Sequence, residues 1–187
     1  ALFLLTLLGL VALGQYRFES IHLIPYSLAF VIFTIPFWIL QGTTEEVVAR
    51  AWLFPQLASR TNLKLAVVVS SLFFTLLHVG NSGLTPLSLV NLFLFGVAMA
   101  LYLLKTDTVW GVAGIHGAWN FAQGNLFGIL VSGQQSGTSL MTFLPQGNQD
   151  WLSGGSFGIE GSIMTSLVLL LLIIYLAYQL KKENERM

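Results

Sequence analysis

Six stretches of the sequence, 1–14, 24–58, 64–80, 86–104, 108–130 and 162–180, are apolar enough to dissolve in lipid, and this narrows the possible folds more than any other feature. A helix needs about 20 mostly apolar residues to cross a hydrocarbon core of roughly 30 Å. The last run, SIMTSLVLLLLIIYLAYQL, carries no charged side chain at all. Inside lipid, a segment must satisfy its own backbone hydrogen bonds, which favours helices. The expected fold class is therefore all-α, a polytopic transmembrane helix bundle of about six visible spans. Charged residues make up 9% of the chain, against roughly 25% in ordinary soluble domains, and mean hydropathy is +0.78.

The whole of 1–187 reads as a single membrane-embedded domain with no internal repeat. Run 1–14 starts with Ala1 and no basic segment precedes it, so it reads first as a span cut short at its start, with a cleaved signal peptide as the lesser reading. Run 24–58 is too long for one straight crossing and is interrupted by Gln41-Gly42-Thr43-Thr44, which predicts one long, tilted or kinked helix. Segment 131–161, rich in Gly, Ser and Gln, reads as an extramembrane loop of about 30 residues, long enough for a lid or binding role.

Short cytoplasmic loops carry an excess of Lys and Arg. If the spans alternate, Arg60, Lys64, Lys105, Lys181, Lys182 and Arg186 fall on one side and Arg17 on the other. This predicts a cytoplasmic tail at 181–187 and a non-cytoplasmic loop at 131–161. Net charge is zero, from 8 basic and 8 acidic residues, so no field favours nucleic acid. Partners are expected in the membrane: the lipid bilayer and a membrane-associated protein or peptide. The sequence does not specify an oligomeric state. There is no cysteine, which excludes disulfides and thiolate chemistry.

Ionisable groups inside spans cost about 2.5–3.5 kcal/mol each on insertion scales, so those present tend to face a protein interior and mark function. Glu45, Glu46, Arg50, His78 and His116 qualify, accompanied by Asn81 and Asn120. In TTEEVVAR, Glu46 and Arg50 share a helix face at a four-residue spacing suited to an ion pair. Glu45 points about 100° away and must be protonated, pair with another helix, or face water. A partly desolvated carboxylate suits general-base work on a water molecule, although EExxxR also suits a packing staple.

His78 follows Phe74 by four residues in FFTLLHVGN, so the Phe ring can wall a site and orient the imidazole; the plainer reading is an interfacial histidine. His116 and Asn120 repeat the spacing in GIHGAWNF among Gly111, Gly114 and Gly117. Side by side they can polarise a carbonyl and hold an oxyanion, or simply bond one helix to the next. Glu45, His78 and His116 also form a two-His, one-carboxylate set compatible with Zn²⁺, without the local signature of an HExxH helix. His22 is given no role.

EExxxR (Glu45, Glu46, Arg50), FxxxH (Phe74, His78) and HxxxN (His116, Asn120), in this order on successive helices, resemble the CPBP family, also called the Abi or type II CAAX endoprotease family. The match covers roughly residues 24–130, and Gly158 to Ser162 also look like family sequence. Ala51 stands where a Gly commonly follows the Arg, a change expected to alter packing more than chemistry. The resemblance implies an intramembrane endopeptidase working in a water-filled cavity among helices. Glu45 would activate water with help from His78, His116 and Asn120 would bind the oxyanion, and Glu46 and Arg50 would hold the site in shape. Family members are described both as glutamate-type proteases and as metalloproteases, so Zn²⁺ stays open as a cofactor.

Eukaryotic relatives trim prenylated CAAX proteins, whereas many bacterial relatives are linked to bacteriocin self-immunity or protein maturation. The brevity of the chain resembles the bacterial members and suggests a plasma-membrane location. Two alternatives remain: a non-catalytic immunity or scaffold protein that binds a partner, and a transporter or proton channel, against which the lack of an inverted repeat counts.

Overall fold

A computed structural model describes residues 1–185, and Arg186 lies outside the described residues. The fold is nearly all-α, as the apolar runs predict. The long helices are α1 (Leu2–Ala12), α2 (Pro25–Arg60), α3 (Leu63–Leu76), α4 (Pro86–Thr106), α5 (Val109–Phe121) and α6 (Ile163–Asn184), with a single further turn at Asp150–Ser153. Of these, α2, α4 and α6 are long and apolar enough to cross a membrane. At 14 residues, α3 spans only about 21 Å, less than a hydrocarbon core.

The starts of the helices follow from their sequence. Asn62 accepts the Leu65 N–H at the head of α3, Thr85 and Ser88 form a reciprocal capping box with Pro86 between them, and Ser162 accepts the Thr165 N–H at the head of α6. Asn62→Ala should cost about 1 kcal/mol, read as a lower unfolding midpoint in detergent.

The long helix is irregular, but not where the sequence suggests. Gln41 to Thr44 stay in regular helix, and the irregular stretch is a π-helical segment at Val47–Leu53. The cause is Pro55, whose missing N–H and ring prevent the usual bond to Ala51, so the chain widens ahead of it and Phe54 N–H reaches back to Ala49. This wide turn carries Arg50.

Polarity is inverted relative to a soluble protein. Exposed positions include Leu8, Phe33, Phe37, Trp110, Leu171 and Ile174, whereas Glu46, Arg50, Ser70, Asn91, Gln123 and Asn125 are buried. Lipid solvates the former, and the latter must find partners inside. Glycines bring α2 and α5 into backbone contact: a Cβ on Gly42 would lie 2.7 Å from Gly117 N, and one on Gly117 would lie 2.7 Å from Trp38 O. That approach sets Glu45 and Glu46 against His116. Lys105 pairs with Glu183, so the last turns of α4 and α6 lie at the same end of the bundle.

Segment 131–161 contains a short strand and a stretch held against the bundle. Strand β1 (Tyr16–Ile21) pairs antiparallel with β2 (Met141–Pro145), with a register shift between Phe18 and Ser20. The stretch 131–134 is pinned inward, where Gly133 N–H donates to Phe157 O at 2.9 Å. Its residues reach the interior of the bundle.

Candidate active site

Glu45 and Glu46, adjacent on α2, face different partners because successive helical residues point about 100° apart. Glu46 is fully buried. Its Oε2 lies 3.1 Å from Arg50 Nη1, and its Oε1 accepts from His116 Nδ1 at 2.9 Å. Arg50 is also buried, and its guanidinium sits over the Phe74 ring, 4.5 Å from the centroid. The Glu46 contact is an ion contact without hydrogen-bond alignment, and the guanidinium nitrogens have no hydrogen-bond partner. Glu46 thus ties α2 to α5, while Arg50 ties it to Phe74 on α3.

These contacts fix the imidazole tautomers. His78 Nδ1 lies 2.9 Å from the Phe74 carbonyl, which can only accept, so Nδ1 carries a proton. His116 Nδ1 faces the Glu46 carboxylate and carries one for the same reason. In a neutral ring, Nε2 is then a bare lone pair. Both Nε2 atoms converge on Glu45 Oε2, at 3.8 Å from His78 and 3.9 Å from His116. Contacts beyond 3.5 Å between acceptors suit a bridging water. Glu45 Oε2 is sealed from solvent and has no hydrogen-bond partner.

Gln41, one turn before Glu45, was missed in the sequence although the i,i+4 spacing was there. Its Nε2 donates to Glu45 Oε1 at 2.5 Å, and its Oε1 accepts from Asn120 Nδ2 at 2.9 Å. The amide therefore occupies one oxygen of Glu45, leaves Oε2 free, and anchors Asn120 with one of its two N–H bonds. His78, His116 and Asn120 line a cavity of about 20 Å³ together with Phe74, Phe95 and Glu160. That is room for one water. The rings of Phe74 and Phe95 lie 5.7 Å and 5.2 Å from that of His116 and form an apolar wall.

Glu160 comes from the segment before α6 and was not singled out from sequence. Its Oε2 accepts from Ser132 N at 2.5 Å, from Ser132 Oγ at 3.1 Å and from Gln123 Nε2 at 3.1 Å. Burial pushes its carboxyl above the usual carboxylate range, against the pull of the Ser132 donors. Asn81 lies in the turn after α3 and does not line this cavity. His22 lies at the sheet, bonded to Ser20 and Thr142.

Glu45, His78 and His116 match zinc in donor chemistry, since two imidazoles with committed Nδ1–H groups present Nε2 to an unpartnered carboxylate oxygen. Ligand atoms around tetrahedral zinc stand roughly 3.3 Å apart, so Glu45 Oε2 stands slightly wide of both rings, at 3.8 and 3.9 Å. Among the described residues, no three His, Asp or Glu side chains are already gathered as a metal centre.

A family model described as type II CAAX prenyl endopeptidase Rce1-like matches residues 27–122, just over half of the chain. No curated protein and no solved structure matches it. The matched stretch contains Gln41, Glu45, Glu46, Arg50, Phe74, His78, His116 and Asn120; Ser132 and Glu160 fall after it.

Proposed function

The chain belongs to the Rce1-like family of type II CAAX prenyl endopeptidases, and from that premise we propose that it hydrolyses a peptide bond of a membrane-associated protein or peptide with water activated by Glu45. The observation that carries this reading is the convergence of His78 Nε2 and His116 Nε2 on the one free oxygen of Glu45, at 3.8 and 3.9 Å. Family membership makes the chain a membrane protease; the roles below are inferred from the geometry.

A water between Glu45 Oε2 and the two rings gives its proton to Glu45 as its oxygen attacks the scissile carbonyl. The tetrahedral oxyanion is met by the second N–H of Asn120, the first being committed to Gln41. A proton on His116 Nε2, opposite the Nδ1–H that faces Glu46, would give the oxyanion a second donor. As the C–N bond breaks, the proton on Glu45 passes to the leaving amine, and the new carboxyl keeps the water oxygen. Glu45, His78 and His116 would hold a Zn²⁺ ion, whose chemistry there is to polarise the carbonyl and acidify the water.

The test is cleavage of membrane peptides by the purified protein, with and without 1,10-phenanthroline, for the wild type and Glu45→Gln. Cleavage by the wild type alone supports the proposal. Chelator resistance supports a glutamate acting without metal, and loss restored by Zn²⁺ supports the metal. No cleavage by either protein supports a non-catalytic immunity or scaffold role instead. Asn120→Ala should lower turnover about 10²-fold in the same assay, as expected for loss of one oxyanion donor.

A further inference from the structure

The cavity beside His78, His116 and Asn120 also holds polar groups that the proposed hydrolysis leaves unused: Asn91, Ser132, Glu160 and Thr165. Most of these are committed within the fold. Asn91 donates from Nδ2 to Glu160 O and Ser162 O, at 2.7 and 2.9 Å, and accepts from Ser166 Oγ at 2.6 Å. Thr165 Oγ1 donates to Ile159 O at 2.6 Å, and Ser132 donates both its N–H and its hydroxyl to Glu160 Oε2.

Glu160, in the short turn Ile159–Gly161 that leads into α6, is held at one side-chain oxygen only. Ser132 and Gln123 meet Oε2, whereas Oε1 bonds to no described residue. Unlike Glu45 Oε2, it is not sealed. Among the described residues, no Lys, Arg or His pairs with this carboxylate. The cavity is thus left with Asn120, the two imidazoles and Glu160 Oε1 to meet an occupant, and of these Oε1 is the anionic acceptor.

We propose that Glu160 is a further catalytic residue, whose Oε1 accepts a hydrogen bond from the scissile nitrogen and holds the leaving amine; the assignment rests on the proposed hydrolysis. That nitrogen has one hydrogen in the peptide and gains a second when Glu45 delivers its proton. It is positive at that moment, and the C–N electron pair returns to it as the bond parts. Glu160 accepts a bond from one of the two hydrogens and takes no proton. The bond is stronger to the charged nitrogen than to the peptide N–H, so it favours the transition state over bound substrate. The oxyanion cannot share the place, because a carboxylate repels it, and it stays with Asn120. A cavity of about 20 Å³ admits one group the size of a water, and an amine fits that limit. Inside the bundle a carboxylate without a cation is costly, and an ammonium beside it lowers that cost.

The experiment compares a cleavable peptide with its ester analogue, in which oxygen replaces the scissile N–H, on the full protein in nanodiscs. Glu160→Gln keeps the size of the side chain and a carbonyl for the Ser132 bonds, but removes the charge. It should lower the peptide-to-ester ratio of kcat/KM about 10–10²-fold, the contribution of one hydrogen bond to a charged group. Ser132→Ala, which loosens the carboxylate without removing it, should slow both compounds alike. Equal slowing of both by Glu160→Gln overturns the assignment and leaves Glu160 as a latch for Ser132. Should that variant not fold, binding is read by anisotropy on Glu45→Gln. A labelled fragment with a free N-terminal amine should bind about tenfold more tightly at neutral pH, where an α-amine is largely protonated, than its N-acetylated form. Equal affinities overturn the assignment as well. Failure of the wild type to cleave either compound counts against the proposed hydrolysis alone, since amine binding is measured without turnover.

Discussion

Glu45→Gln is expected to lower turnover by about 10²–10⁴-fold, the contribution of a positioned general base. The substitution preserves size and the bond from Gln41, whose amide reaches Oε1 at 2.5 Å. What it removes is the ability of the second position, Oε2 in the native residue, to take a proton from water held against His78 and His116. That position has no partner in the fold, so the change costs little stability. Turnover at saturating peptide and the unfolding midpoint in detergent, measured together, check both halves. A partner-binding protein would keep its phenotype, and a proton channel would instead lose flux across liposomes.

Arg50→Met is expected to destabilise the protein by about 3–5 kcal/mol, the cost of removing one member of a buried ion pair. Glu46 and Arg50 are 0% and 1% exposed, so no water screens the charge left behind. The cation also covers the Phe74 ring, and that contact is lost as well. Combining Arg50→Met with Glu46→Gln should recover part of the loss, since no unpaired carboxylate then remains. Denaturant titration of the single and double variants measures the coupling, and strictly additive losses would contradict it. The double variant should also lose activity, because Glu46 orients His116.

The helices were legible because lipid imposes a simple rule on composition, and the six apolar runs each hold a helix. The Glu46–Arg50 ion pair is likewise a local, four-residue relation that spacing exposes. The contact between Glu46 and His116 closes 70 residues of chain, and nothing local encodes it. Gln41 was readable at i,i+4 from Glu45 but looked like a helix break, since Gly42, Thr43 and Thr44 follow it. In the fold, Gly42 serves close packing on Gly117, and the irregularity moves to the turn before Pro55. The β1–β2 pairing joins segments about 120 residues apart, with no turn signal between them. Ser132 and Glu160 hid inside a stretch whose glycines and serines read as solvated loop, and only the fold brings them to the cavity shared with His78 and His116.

In the proposed hydrolysis, water held at Glu45 becomes part of a new carboxyl group. Digestion of a membrane peptide in H₂¹⁸O, with the fragments weighed by mass spectrometry, tests it most directly. One ¹⁸O atom should enter the carboxyl of the N-terminal fragment with the wild-type protein, and no fragment should form with Glu45→Gln. An intact peptide after wild-type digestion, or equal labelled cleavage by the Glu45→Gln protein, would contradict the account.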